Sequence, residues 1–232
     1  MRVVRETVQR LQAAGYEVVE INSPDIEQVL YFYNGFVLAD ERTMLEALSY
    51  DVYDSCLYGV IMAITLYKMP GILKKLVINP LIGLLTRMPP IRKLFSNVRD
   101  LGEAIRQRDE FVRKYLAFLD SADIDVIICP GQQVPAPPAG KLGTMMAGIL
   151  PYIPWNVMNF PAGIAPVSTW GQADHQEMEN FPRDDILYKM MRSYCEGAEG
   201  MPLSVQVVGK PFKDEQVLKV VKVLDEIMKN EK

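Results

Sequence analysis

An α/β fold, with helices layered on a β-sheet, follows from three observations. Two apolar stretches, Gly163 to Thr169 and Leu203 to Val208, are bounded by proline and glycine and have the length of buried strands. Two long segments, Asp100 to Asp120 and Asp214 to Lys229, carry apolar residues at helical spacing. The amino-terminal end runs helix, glycine, short strand candidate, then a proline-marked helix, an order that belongs to an α/β layer.

At 232 residues the chain makes one large domain or two small ones. A hydrophobic content of 49% with 23% charged residues is that of a globular protein with a sizeable core. The net charge of −4 gives no reason to expect nucleic acid as a partner. Cys56, Cys129 and Cys195 are odd in number, far apart and without C-x-x-C spacing, which reads as reduced thiols in an intracellular setting. The opening Met1-Arg2-Val3-Val4-Arg5-Glu6 starts a charged helix and has none of the pattern of a secretory leader.

In chain order, Val4, Val8 and Leu11 share one helical face, and Gly15 is placed to stop that helix. Tyr16 to Ile21 is a strand candidate, and Ser23-Pro24-Asp25 restarts a helix. Ile26 to Tyr50 reads as helical in two pieces hinged near Gly35, with Leu30, Tyr31, Phe32, Tyr33 and Phe36 as core.

The segment Ser55 to Arg99 stands apart. It contains no Asp or Glu and carries +7 from Lys68, Lys74, Lys75, Arg87, Arg92, Lys93 and Arg99, which leaves −11 for the rest of the chain. Its apolar runs are cut by Lys68, Lys74, Lys75 and Arg87 and by Pro70, Pro80, Pro89 and Pro90, so none reaches the roughly 18 residues of a spanning helix. Two readings of these residues stay open. Short, basic, proline-broken apolar helices suit a membrane interface, where Ile64, Leu66, Ile72, Leu73 and Leu76 would sit among acyl chains and Lys74 and Lys75 would meet anionic headgroups. The same composition also suits a buried helical hairpin with a solvated basic rim.

Beyond it, Leu101, Ala104, Ile105, Val112, Tyr115, Leu116 and Leu119 line one face of the Asp100 helix. Asp123 to Cys129 follows as a buried strand ended by Pro130. Gln132 to Gly140 is a proline-rich loop, and Lys141 to Tyr152 is glycine-broken and methionine-rich. From Gly143 through Thr169 there is no charge at all, and Pro154, Pro161 and Pro166 are expected to break any helix between Ile153 and Ser168. Trp170 to Arg183 reads as a polar loop holding the one histidine, His175. Asp184 to Glu196 reads as a helix ended by Gly197, and Asp214 to Lys229 as the last helix.

Familiar chemistry is missing from these residues. A Ser-His-Asp triad needs a histidine beside its nucleophile, and His175 sits in a hydrophilic stretch beside Asp174, Gln176 and Glu177, where a surface role is expected. There is no G-x-S-x-G elbow, no Walker A run, no G-x-G-x-x-G and no metal-ligand spacing. Cys129 ends an apolar strand, the setting of an inert thiol. No cofactor and no metal is expected.

Two blocks carry a resemblance. Asn159-Phe160-Pro161-Ala162-Gly163 leading into Pro166-Val167, and Gly200-Met201-Pro202-Leu203-Ser204-Val205-Gln206-Val207-Val208-Gly209-Lys210-Pro211-Phe212, resemble the late core of the amidase signature family. The Gly200 block is similar to that family's G-x-P-x-x-x-Q-x-x-G-x-P-F run, and the Phe-Pro-Ala-Gly form is similar to the fatty-acid amide hydrolase branch. The resemblance runs from about Arg2 to Met228 and corresponds to the carboxyl-terminal portion of one amidase domain, with a mixed β-sheet flanked by helices. It implies that Ser55 to Arg99 is a membrane-docking cap, that Met146, Ile149, Ile153 and Leu187 line an acyl channel, and that the partners are a lipid surface and a fatty-acid amide, with a second copy of the chain a further candidate. It implies a monotopic, membrane-associated protein. The family's serine nucleophile and bridging serine lie in a Gly/Ser-rich segment, and neither that segment nor the lysine base has a counterpart here, so no catalytic residue is carried over. The expectation is therefore the cap-bearing part of a serine amidase that cleaves fatty-acid amides or N-acylethanolamines. The alternative is a non-catalytic, amidase-derived lipid-binding or interaction module.

Overall fold

In a computed structural model the described residues are 2–39, 69–73, 76, 98–138, 150–182 and 186–229. The first helix, α1 (Arg2–Ala13), ends in a turn at Gly15, whose φ of 89° is open to glycine at no steric cost. Then come α2 (Ile26–Ala39), a single helical turn at Gly71–Leu73, and α3 (Val98–Ser121). Strand β1 (Val126–Pro130), a short α4 (Ile153–Met158) and β2 (Ala162–Thr169) follow. The chain closes with α5 (Gln172–Glu179), α6 (Ile186–Tyr194), β3 (Pro202–Gly209) and α7 (Asp214–Lys229).

The described strands form one antiparallel sheet in the order β1–β3–β2, so the last strand lies in the middle. Register then decides what each face holds, because strand side chains alternate. Val205 and Val207 of β3 lie beside Ile128, Ala165 and Gly163 and face α1 and α7, where Leu11, Val167, Val217 and Leu224 complete a core. Gly163 sits where any Cβ would come within 3.1 Å of the Val217 and Val221 methyls, which lets α7 lie close against β2. On the opposite face, Ile127, Cys129 and Val208 pack under Leu119 of α3 and under Trp155, Met158 and Phe160. Val29 and Phe32 of α2 then close over Ile153 and Val157 of α4. A further cluster joins Trp170, Met191, Tyr194, Cys195 and Ala198 beside the sheet end.

Four expectations change. Tyr16 to Ile21 forms no strand; Val18 and Ile21 dip into two different clusters while Tyr16 and Val19 stay exposed, so its apolar residues anchor a connection that has no ladder partner among the described residues. There is no hinge at Gly35: α2 runs unbroken through it, and the Phe32 ring stacks at 6.3 Å on Phe36 and meets Phe111 at 5.9 Å. Such packing offsets the roughly 1 kcal/mol that glycine costs inside a helix. The prolines after Ile153 do not exclude a helix, since Pro154 is the second residue of α4, where its missing N–H would have had no partner anyway. Finally, the polar stretch after Trp170 is helical over Gln172–Glu179, because Asp174 accepts the Gly171 backbone N–H at 3.0 Å and starts the helix.

Candidate ligand groove

Helix α4 ends where Asn159 takes a left-handed conformation, φ 57° and ψ 45°, and the Phe160 N–H closes on the Trp155 carbonyl at 2.9 Å. This turn throws the chain directly into β2. Pro161 then accepts the Gly209 N–H at 2.9 Å, tying the start of β2 to the end of β3. Trp155 is thereby held over one half of the sheet face, with Tyr115 and Phe160 packed around it at ring distances of 6.2 to 6.4 Å. The other half of that face stays open: Ile164, the register partner of Gln206, is 47% exposed.

The open half is a groove of about 400 Å³ lined by Tyr33, Tyr152, Ile153, Trp155, Asn156, Ala162, Ile164 and Gln206. This size falls in the range of small-molecule sites, and the lining is that of one, aromatic and aliphatic with a few polar groups. Burial pushes the Tyr152 hydroxyl above its usual range and holds the Cys129 thiol up at about 11, with the Trp155 indole acting on Cys129 in the opposite sense. That indole N–H reaches no partner at hydrogen-bond geometry among the described residues. Cys129 is therefore a neutral thiol near pH 7, as its apolar strand implied.

The sequence-derived site residues divide unevenly. Ile153 is buried in α4 and lines the groove. Leu187 falls within α6, while Met146 and Ile149 lie outside the described residues. Of the residues assigned to the membrane, Ile72, Leu73 and Leu76 are 74%, 44% and 70% exposed, and Ile64, Leu66, Lys74 and Lys75 lie outside the described residues. No local pattern groups Tyr33, Tyr152, Trp155 and Asn156 with Gln206. The one signal in the chain is Gln206 itself, a polar residue inside the apolar run Leu203 to Val208, whose neighbours Val205 and Val207 must face the other way.

His175 and three serines make structural contacts. His175 is a partly exposed residue that receives the Trp170 indole N–H at 3.0 Å and lies 3.0 Å from Glu199. The Ser121 and Ser193 hydroxyls each donate to a backbone carbonyl three residues back, and Ser168 accepts from Arg2 at 3.1 Å. None of these hydroxyls is set against a lysine. Among the described residues no three His, Cys, Asp or Glu side chains converge on a metal position.

Helices on both faces of an antiparallel sheet, with one face half open as an apolar groove, define an α/β protein. The particular lineage is shown by comparison: the Amidase family profile matches residues 1–218, and the chain belongs to that family. It is 26% identical over 97% of its length to fatty acid amide hydrolase 1 of Caenorhabditis elegans and 25% identical over 98% to fatty-acid amide hydrolase 1 of Sus scrofa. An amidase of Gibberella moniliformis is 32% identical over 57% of the chain and is itself covered over 22% of its length. The chain spans 39% and 40% of the lengths of the two fatty-acid amide hydrolases. A solved structure described as a fatty acid amide hydrolase superposes with a TM-score of 0.64 at 18% identity, covering 98% of this chain and 36% of that one, which shows a shared fold.

Proposed function

We propose that this chain supplies the membrane-facing cap, part of the acyl channel and the late sheet strands of an amide hydrolase acting on fatty-acid amides or N-acylethanolamines. The observation that carries the reading is the match to two fatty-acid amide hydrolases along nearly the whole chain. The groove supports it, because an apolar cleft with Ile153 and Trp155 in its wall suits an acyl chain. So do Ile72, Leu73 and Leu76, exposed apolar residues in a segment without acidic side chains.

The hydrolytic serine of this reading lies outside the chain. Such a nucleophile needs an adjacent base, and the described serine hydroxyls with a bonding partner are held by backbone carbonyls or by Arg2. The folded 232-residue chain is therefore expected to show no adduct by intact-mass spectrometry after exposure to a broad fluorophosphonate serine-hydrolase probe. A single stoichiometric adduct on folded protein would contradict this placement and name a nucleophile within the chain. The second reading, a non-catalytic lipid-binding module derived from an amidase, is favoured by the same serine environments. The two part on hydrolysis of an N-acylethanolamine, which a module of this kind never performs, alone or with its natural partners.

A further inference from the structure

We propose that Gln206 is the polar anchor of the groove, and that the groove takes an apolar chain bearing a hydrogen-bond donor, an amide N–H or a hydroxyl. The inference rests on the reading of the groove as a site for an acyl chain and adds what recognises that chain.

Gln206 stands at the centre of the central strand, between Cys129 of β1 and Ile164 of β2, and is 1% exposed. Its Oε1 has no hydrogen-bond partner among the described residues. A buried amide oxygen left unpaired costs roughly 1 to 3 kcal/mol, so a strand position like this ordinarily carries valine or isoleucine, as positions 205 and 207 do. Gln206 also lines the groove, on the half of the sheet that α4 does not cover. The terminal amide torsion of glutamine is broad, so a small rotation turns the oxygen toward an arriving donor. The surrounding wall of Tyr33, Tyr152, Ile153, Trp155 and Ile164 offers apolar surface to a chain lying along it. An oxygen held in such a place discriminates by what it leaves unpaired. A ligand with a donor satisfies it, and the same chain without one buries it for good.

Three probes with the same unsaturated chain separate the sources of the donor. Oleamide presents an amide N–H at its head, methyl ricinoleate presents a hydroxyl along the chain, and methyl oleate presents neither. Binding to the full chain is read by Trp155 fluorescence or by calorimetry. We expect oleamide, methyl ricinoleate or both to bind about tenfold or more tightly than methyl oleate. The tighter of the two identifies the donor that Gln206 receives. Gln206→Leu is expected to erase the gap while raising the melting temperature, since it removes the unpaired oxygen; Gln206→Met serves if the leucine variant does not fold. Equal binding of all three by the wild-type chain overturns the role of Gln206 and leaves the acyl groove standing. A gap that persists in the substituted chain also overturns it. Failure of all three to bind overturns the groove reading itself.

Discussion

Arg2 does more than begin a helix. Its guanidinium donates to both carboxylate oxygens of Asp174 at 3.0 and 2.7 Å, to Glu6, to the Ser168 hydroxyl and to the Thr169 carbonyl. One side chain thus pins α1 to the end of β2 and the start of α5, across more than 160 residues of sequence. Burial by itself would push the Asp174 carboxyl up, but the Arg2 and Gly171 hydrogen bonds outweigh it and hold the carboxyl below its ordinary 3.8. The folded state therefore binds this proton at lower pH than the unfolded state does. The clasp's contribution is whole above the ordinary carboxylate range and is lost as pH falls through the lowered value. Asp174→Ala is expected to cost about 2 kcal/mol at neutral pH, measured by urea denaturation, and the difference from wild type should shrink as the titration is carried toward about pH 3. An unchanged difference at low pH would mean the loss is one of packing and not of charge.

Among the elements, the joint between β1 and β3 leaves no room for a side chain at Gly131. Gly131 follows β1 and donates its N–H to the Ser204 carbonyl at 3.1 Å, and a Cβ there would lie 2.9 Å from that oxygen and 2.6 Å from the Ser204 hydroxyl. Backbone cannot step aside as a side-chain tip can, so Gly131→Ala is expected to destabilise by about 1 to 3 kcal/mol. Gly102 offers the opposite case. It lies within α3 with nothing near its missing Cβ, and Gly102→Ala should gain up to about 1 kcal/mol by helix propensity alone. Thermal melts of the two variants should move in opposite directions. The helices were legible at this scale because their period and ends are local: α3 and α7 appear close to where their stripes place them. The strand that failed, Tyr16 to Ile21, failed because a strand is defined by its partner, which local sequence does not name.

For the whole molecule, charge and apolar exposure meet in one segment. Ser55 to Arg99 holds +7 while the remainder holds −11, and the described residues Ile72 and Leu76 in it are largely exposed. No helix among the described residues is long and apolar enough to cross a membrane. The association proposed for this segment is an interfacial one, combining acyl contact with attraction to anionic headgroups. The folded chain should float with anionic liposomes and do so less in high salt. The double substitution Ile72→Asp with Leu76→Asp should lower the floating fraction severalfold without shifting the melting temperature, because neither side chain belongs to the core. A chain that stays at the bottom of the gradient at low salt would refute the membrane role and favour a hairpin docked on protein.

The sequence by itself determined the α/β class, the strands Gly163 to Thr169 and Leu203 to Val208, the long helices, the charge asymmetry and the two blocks shared with amidases. All of these are written in neighbouring residues, through period, proline and glycine placement, and composition. Only the tertiary structure decided that β3 lies between β1 and β2, that Arg2 grips Asp174, and that Gln206 faces an open groove walled by Tyr33, Tyr152 and Trp155. Those facts depend on strand register and on contacts between residues far apart in the chain. Pairing energies of that kind are set by the partner as much as by the residue, and no local pattern in the sequence records the partner.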